Sequence, residues 1–178
     1  MKRVLALAAT VVLFVAWWVV VPRYVIKTFR IPTGAMQPAL PIGSAVFVRP
    51  TDDVHIGDIT VFRYPRNPEV WFVMRAVAAA GDTVEIREKR LFVNGQEKNE
   101  PYVRHEDATV YPNEPALPEP YRSRDWFGPY RVPAKSLFVL GDNRDHSSDS
   151  RYWGVVPQEN VFGRVVYVIA PDGMRRPR

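Results

Sequence analysis

Residues 141–154 read Gly-Asp-Asn-Arg-Asp-His-Ser-Ser-Asp-Ser-Arg-Tyr-Trp-Gly, a dense run of groups that could do chemistry. Three carboxylates, Asp142, Asp145 and Asp149, alternate with two guanidinium groups, Arg144 and Arg151, and the hydroxyls of Ser147, Ser148 and Ser150 sit among them. Leu137, Phe138, Val139 and Leu140 lead straight in, so a buried strand ends at Gly141 in a turn that carries the charges. Ions at the end of a core strand must be compensated, because an unpaired charge is costly to remove from water. Asp149 and Arg151 are therefore read as a structural ion pair that holds the loop and fixes the hydroxyls beside it. A polar surface turn is the commoner use of Asp, Asn, Gly and Ser, but mutually compensating charge behind an apolar strand favours a site.

A second stretch, residues 29–40, reads Phe-Arg-Ile-Pro-Thr-Gly-Ala-Met-Gln-Pro-Ala-Leu. Pro32, Pro38 and Pro41 exclude a regular helix, and Gly34 permits a tight turn just before Ala35. The third, residues 71–82, is a β-branched and aromatic run closed by Gly81-Asp82.

Residues 141–154 resemble the last signature box of the signal peptidase I family, the membrane-bound serine endopeptidases that remove signal peptides. Residues 29–40 resemble the family's first box, and residues 75–82 the box that carries a catalytic lysine. The resemblance implies a serine/lysine dyad, and this chain departs from it at both members. Ala35 stands at the position of the nucleophilic serine. Met74 stands immediately before Arg75, where the lysine is usual. Ala78, Ala79 and Ala80 replace Gly-Leu-Pro or a near relative. Thr33 matches a second hydroxyl of the oxyanion hole, Ser147 the serine that hydrogen-bonds the lysine, and Asp149 and Arg151 the structural pair.

Serine needs a base to take its proton, and lysine serves only if burial leaves it neutral. Ala35 has no hydroxyl, and Met74 has a stem of similar length to lysine with no titratable nitrogen. Methionine fills the same apolar slot without burying an amine. In other serine proteases, loss of triad members leaves about 10³–10⁴-fold catalysis over water, so the sequence predicts a fold and a groove without proteolysis. Substitutes are poor. Thr33 is two residues away and lacks a base, and Arg75 stays protonated. His146 adjoins Ser147 and Asp145, but adjacent residues rarely place three side chains in relay. No His-Glu-x-x-His or calcium-loop pattern is present, and Arg144 and Arg151 are expected to balance the three acids, so neither metal nor cofactor is expected.

Three readings stay open. The first is an inactive homologue that binds extended signal-peptide segments. The second is an active signal peptidase I whose two positions were altered by engineering. The third is a non-catalytic membrane scaffold that assists an active paralogue.

The elements that must position these residues are mostly strands. The expected fold is mainly β: a signal-peptidase-like β domain over residues 29–170, with a loop-rich insertion at about 97–131 and one N-terminal transmembrane helix within residues 1–22. Residues 45–48, 58–62, 71–77, 83–86, 91–93, 137–140 and 161–169 read as strands, and Asn94-Gly95 signals a hairpin. Residues 4–21 are eighteen positions with only Thr10 polar, and as a helix they reach roughly 27 Å, about a bilayer core. Trp17 and Trp18 near the end suit an interface, and the absence of small residues there favours an uncleaved anchor over a signal peptide. Flanking charge does not settle orientation; the resemblance implies a cytoplasmic N-terminus and a body on the outer face of the cell membrane. The apolar residues 36–42 suit either a buried loop or a segment dipping into headgroups. The basic tail, residues 171–178, is expected to be disordered.

The chain has 178 residues, a net charge of +5 and no cysteine, so disulfides and thiolate metal sites are excluded. Lys2, Arg3, Arg23, Lys27 and Arg30 precede any acid, and Arg175, Arg176 and Arg178 stand against Asp172 in residues 171–178, which leaves residues 31–170 at −2. Basic ends around a slightly acidic body predict anionic lipid as a partner rather than nucleic acid.

Overall fold

A computed structural model describes residues 26–114, 116 and 124–177. The expected anchor within residues 1–22 lies outside the described residues, and among those described no helix is long and apolar enough to cross a membrane. The fold is mainly β. Its strands are β1 (Lys27–Arg30), β2 (Ala45–Pro50), β3 (Ile59–Tyr64), β4 (Asn67–Ala79), β5 (Thr83–Arg87) and β6 (Arg90–Val93). They continue with β7 (Gln96–Glu97), β8 (Phe127–Arg131), β9 (Ser136–Leu140), β10 (Val156–Pro157), β11 (Val161–Ala170) and β12 (Gly173–Arg175), and one helical turn, α1 (Ser150–Trp153), follows β9.

Two antiparallel sheets form. The larger runs β1-β2-β11-β3-β4-β9-β10, with β12 paired to β11; the smaller runs β7-β6-β5-β8. Period-two patterning explains which faces meet. In β2, Val46 and Val48 are buried while Ala45, Phe47 and Arg49 are more open. Val46, Val48, Ile59, Val61, Phe62, Met74 and Trp153 belong to the core of the larger sheet. Val84, Ile86, Leu91, Val93, Phe127 and Phe138 belong to a second core under the smaller sheet. Long β4 serves both, because Met74 and Ala76 pack in the first core and Val77 and Ala78 in the second. Ala78 is fully buried in register with Phe138, so a small residue there admits a ring from β9. The Asn94-Gly95 hairpin forms with both residues at positive φ, 55° and 76°, as a two-residue turn between twisted strands requires.

The structure corrects two expectations and adds detail to a third. The tail is not disordered at its start: Gly173, at φ 125°, reverses the chain so that Met174 pairs with Ile169, and Arg175 donates to Asp172 at 2.6 Å. Basic composition had suggested disorder, but a turn residue beside a long strand is enough for a hairpin. Residues 127–131, placed in the insertion, form β8 against β5. Of residues 36–42, Met36 and Leu40 are core residues, whereas Ile42 is 53% exposed.

Candidate functional site

The loop after β9 is built on Asp149. Its carboxylate caps α1 by accepting from the Arg151 amide and accepts again from Arg151 Nε at 2.8 Å and Nη2 at 2.9 Å. It also accepts from the Gly141 amide at 3.2 Å. Arg151 spends its remaining donors on the Arg144 and Arg124 carbonyls, at 2.7 and 2.9 Å. Both side chains are almost fully buried, at 0% and 2% exposure. Ser150 Oγ accepts from Val139 N, which ties α1 to β9. Two strands of evidence in the sequence, charge density and a leading apolar run, had marked this pair.

The other charges pair differently from the sequence expectation. Arg144 pairs directly with Glu100, to which it donates at 2.6 Å, rather than with Asp142 or Asp145. Asp142 instead takes a two-pronged contact from Arg75 of β4, at 2.8 and 2.6 Å, and Arg75 also donates to the Gly57 carbonyl. The Tyr102 ring covers the Arg75 guanidinium at 3.8 Å, and its hydroxyl donates to Glu100. Burial and the Glu100 carboxylate push the Tyr102 phenol upward, so it stays a donor. Asp145 faces Lys89 and the amides of Glu106 and Asp107. Burial works against its ionisation, but the Asp107 amide, Lys89, His105 and Arg124 hold its carboxyl well below the usual carboxylate range. These partners come from sequence positions far from the loop, so spacing within residues 141–154 could not reveal them.

Residues 100–107 form a strap along the loop. The Arg104 amide donates to the Asp142 carbonyl, and the Arg144 amide donates to the Arg104 carbonyl. His146 is not in relay with its neighbours: its side chain is 62% exposed and pairs with Glu106 at 3.2 Å.

Beside this loop lies a groove of about 450 Å³. Phe29, Ile31, Met36, Trp71, Val73 and Met74 give it apolar walls; Thr33 and Ala35 line it from the turn, and His146 and Ser148 from the loop. The sequence candidates Thr33, Ala35 and Met74 thus share one cavity. Met74 is 4% exposed. Ser147 lies in the loop behind. A Cβ added at Gly141 would collide with Ser147 Oγ and would sit 2.6 Å from the Ala35 carbonyl, so a side-chain-free residue lets loop and turn touch. The Asn143 amide closes the contact by donating to the Ala35 carbonyl at 3.0 Å. Ser147 is 7% exposed and its Oγ has no hydrogen-bond partner, unusual for a buried hydroxyl.

Arg75, Tyr102, Glu106 and Asn143 were not singled out as site residues from sequence. Arg75 had an available signal, its place beside Met74; the strap residues had none, because residues 97–131 read as loop.

The family profile described as signal peptidase, peptidase S26, matches residues 2–170. The signal peptidase I of Pseudomonas aeruginosa is 33% identical, over 90% of this chain and 70% of its own length. Signal peptidase I S of Bacillus subtilis is 29% identical, over 96% of this chain and 91% of its own. A crystal structure of a signal peptidase I from Enterococcus faecalis is 33% identical with a TM-score of 0.47, and the match covers 63% of this chain and 96% of that one.

Proposed function

The chain belongs to the signal peptidase family, peptidase S26, and on that premise we propose that it is a membrane-anchored member that binds signal-peptide segments without hydrolysing them. The observation that carries this reading is the chemistry of the groove. Ala35 and Met74 line it together, one offering a methyl group and the other a thioether. Acyl transfer in the family needs an alkoxide at the first position and a proton acceptor at the second. The buried Ser147 hydroxyl, without a partner, fits a position from which an amine has been removed.

Binding needs less than catalysis, because ground-state contacts survive the loss of groups that act only in the transition state. The Ala35 amide and the Thr33 hydroxyl remain as donors for a peptide carbonyl. Among the described residues β1 is the end strand of the larger sheet and pairs with β2 alone, so its outer edge offers backbone groups to an extended peptide. The same reading takes residues 4–21 as an uncleaved transmembrane helix with its N-terminus in the cytoplasm. β1 begins six residues later, at Lys27, so the groove is taken to lie near the outer membrane surface.

The deciding experiment uses the purified full-length chain and a preprotein substrate. The expected result is no cleavage above background for the unaltered protein, with photo-crosslinking of a signal-peptide probe to the groove. Restoring Ala35→Ser together with Met74→Lys is expected to return cleavage. Turnover by the unaltered chain sinks the reading. Absence of any crosslink favours the scaffold that assists a paralogue.

A further inference from the structure

Within the turn that carries position 35 the Gln37 amide donates to the Gly34 carbonyl at 3.0 Å, and from behind the turn is held by Asn143. Its backbone amide donates to the Ala35 carbonyl at 3.0 Å, and its side-chain amide donates to the Gly34 carbonyl at 3.4 Å. The second bond is long. The same Nδ2 makes a shorter bond, 3.0 Å, to Glu106 Oε1 in the strap. Asn143 is 2% exposed, and its Oδ1 has no partner. The orientation of the amide therefore rests on two acceptors, Gly34 O and Glu106, of which the carboxylate is the stronger. The other oxygen of Glu106 meets His146 at 3.2 Å, on the wall of the groove.

We propose that Glu106 is a positioning residue for the groove: it fixes the Asn143 amide, and through it the Gly34–Ala35 turn, while its second oxygen sets the His146 ring where it lines the groove. Peptide affinity is the functional consequence and rests on the binding role proposed above; the positioning itself is independent of it. The strap backbone does not depend on this side chain, because the amides of Glu106 and Asp107 are anchored on Asp145 at 2.8 and 2.9 Å. Removing the carboxylate thus frees the Asn143 amide without releasing the strap. With Oδ1 already unpaired, the freed amide can rotate and withdraw its donor from the Gly34 carbonyl, which leaves that carbonyl to the Gln37 amide alone and loosens the tie between loop and turn.

Three variants of the full chain separate the roles. Glu106→Ala removes three side-chain contacts, to Asn143, to His146 and to Arg104 Nε at 3.5 Å. Glu106→Gln keeps an oxygen to accept from Asn143 and loses the charge facing His146. His146→Ala removes only the wall contact. Hydrogen exchange of the Asn143 amide, which is bonded to Ala35 O, reads the position of the turn directly. Glu106→Ala is expected to speed this exchange about fivefold or more, the scale of one lost hydrogen bond. Glu106→Gln and His146→Ala are expected to leave it within about twofold. The Val139 amide, bonded to Ser150 Oγ inside the core, is the control for general loosening. Affinity for a fluorescent signal-peptide probe should fall about fivefold in Glu106→Ala and be largely rescued in Glu106→Gln. Unchanged Asn143 exchange in Glu106→Ala, or equal acceleration at Asn143 and Val139, overturns the positioning role. Accelerated exchange with no probe binding by any form of the chain leaves the positioning role standing and counts against peptide binding alone.

Discussion

Met74→Lys, made with Ala35 left in place, tests the electrostatics of the groove apart from catalysis. Met74 is 4% exposed in a cluster with Ile31, Met36, Leu40 and Val139. A lysine stem is of similar length, so the ammonium group enters the same apolar slot. The charged pair nearest in sequence, Arg75 with Asp142, is already satisfied and springs from the next position of β4, whose side chain points to the other face. Ser147 Oγ is left to offer one hydrogen bond. Desolvation then lowers the lysine pKa, and a fall of about two units from the ordinary value near 10.4 corresponds to about 2.7 kcal/mol. Because the folded-state pKa lies below the unfolded one, the deficit is full at pH values below the folded pKa. It shrinks as pH rises and disappears above the unfolded pKa. Urea unfolding of variant and wild type should therefore differ by about 2–3 kcal/mol near pH 7 and by less than about 1 kcal/mol near pH 10.5. Adding Ser147→Ala should deepen the neutral-pH deficit by about 1 kcal/mol. A deficit that does not change with pH would assign the loss to packing. No deficit near neutrality would mean that the ammonium reaches water, and either result refutes the description of position 74 as a dry slot.

Two further predictions concern the loop. Arg151→Ala strands the fully buried Asp149 carboxylate and should cost about 3–5 kcal/mol in denaturant unfolding; a loss below about 1 kcal/mol would show that the pair does not hold the loop. Asp145, with its carboxyl depressed by the Asp107 amide, Lys89, His105 and Arg124 against the opposing effect of burial, contributes stability above the ordinary carboxylate value of 3.8 and loses it as the pH falls toward its folded-state value. The stability gap between wild type and Asp145→Asn should accordingly be steady near neutrality and close in acid; a gap that widens in acid contradicts the assignment.

Much of the molecule is legible in the order of its residues because the signals are local. Alternation in 45–48, the Asn94-Gly95 turn and the apolar run into Gly141 each depend on neighbours within a few positions, and the structure forms β2, the hairpin and β9 there. Asp149 and Arg151, two residues apart, pair as their spacing suggests. The chemical identities at 35 and 74 are equally a matter of sequence, since no fold can give a methyl group a proton to lose. Tertiary structure alone decided the rest, because the remaining partners are distant in the chain. Arg75 reaches Asp142 across 67 positions, and Asn143 reaches Gly34 across 109. A loop-rich stretch with no periodicity becomes the strap that holds the site, for its order comes from hydrogen bonds to the Asp142–Asp145 loop rather than from its own backbone pattern. Charge balance could be foreseen in number, but which ion neutralises which depends on where the sheets bring them.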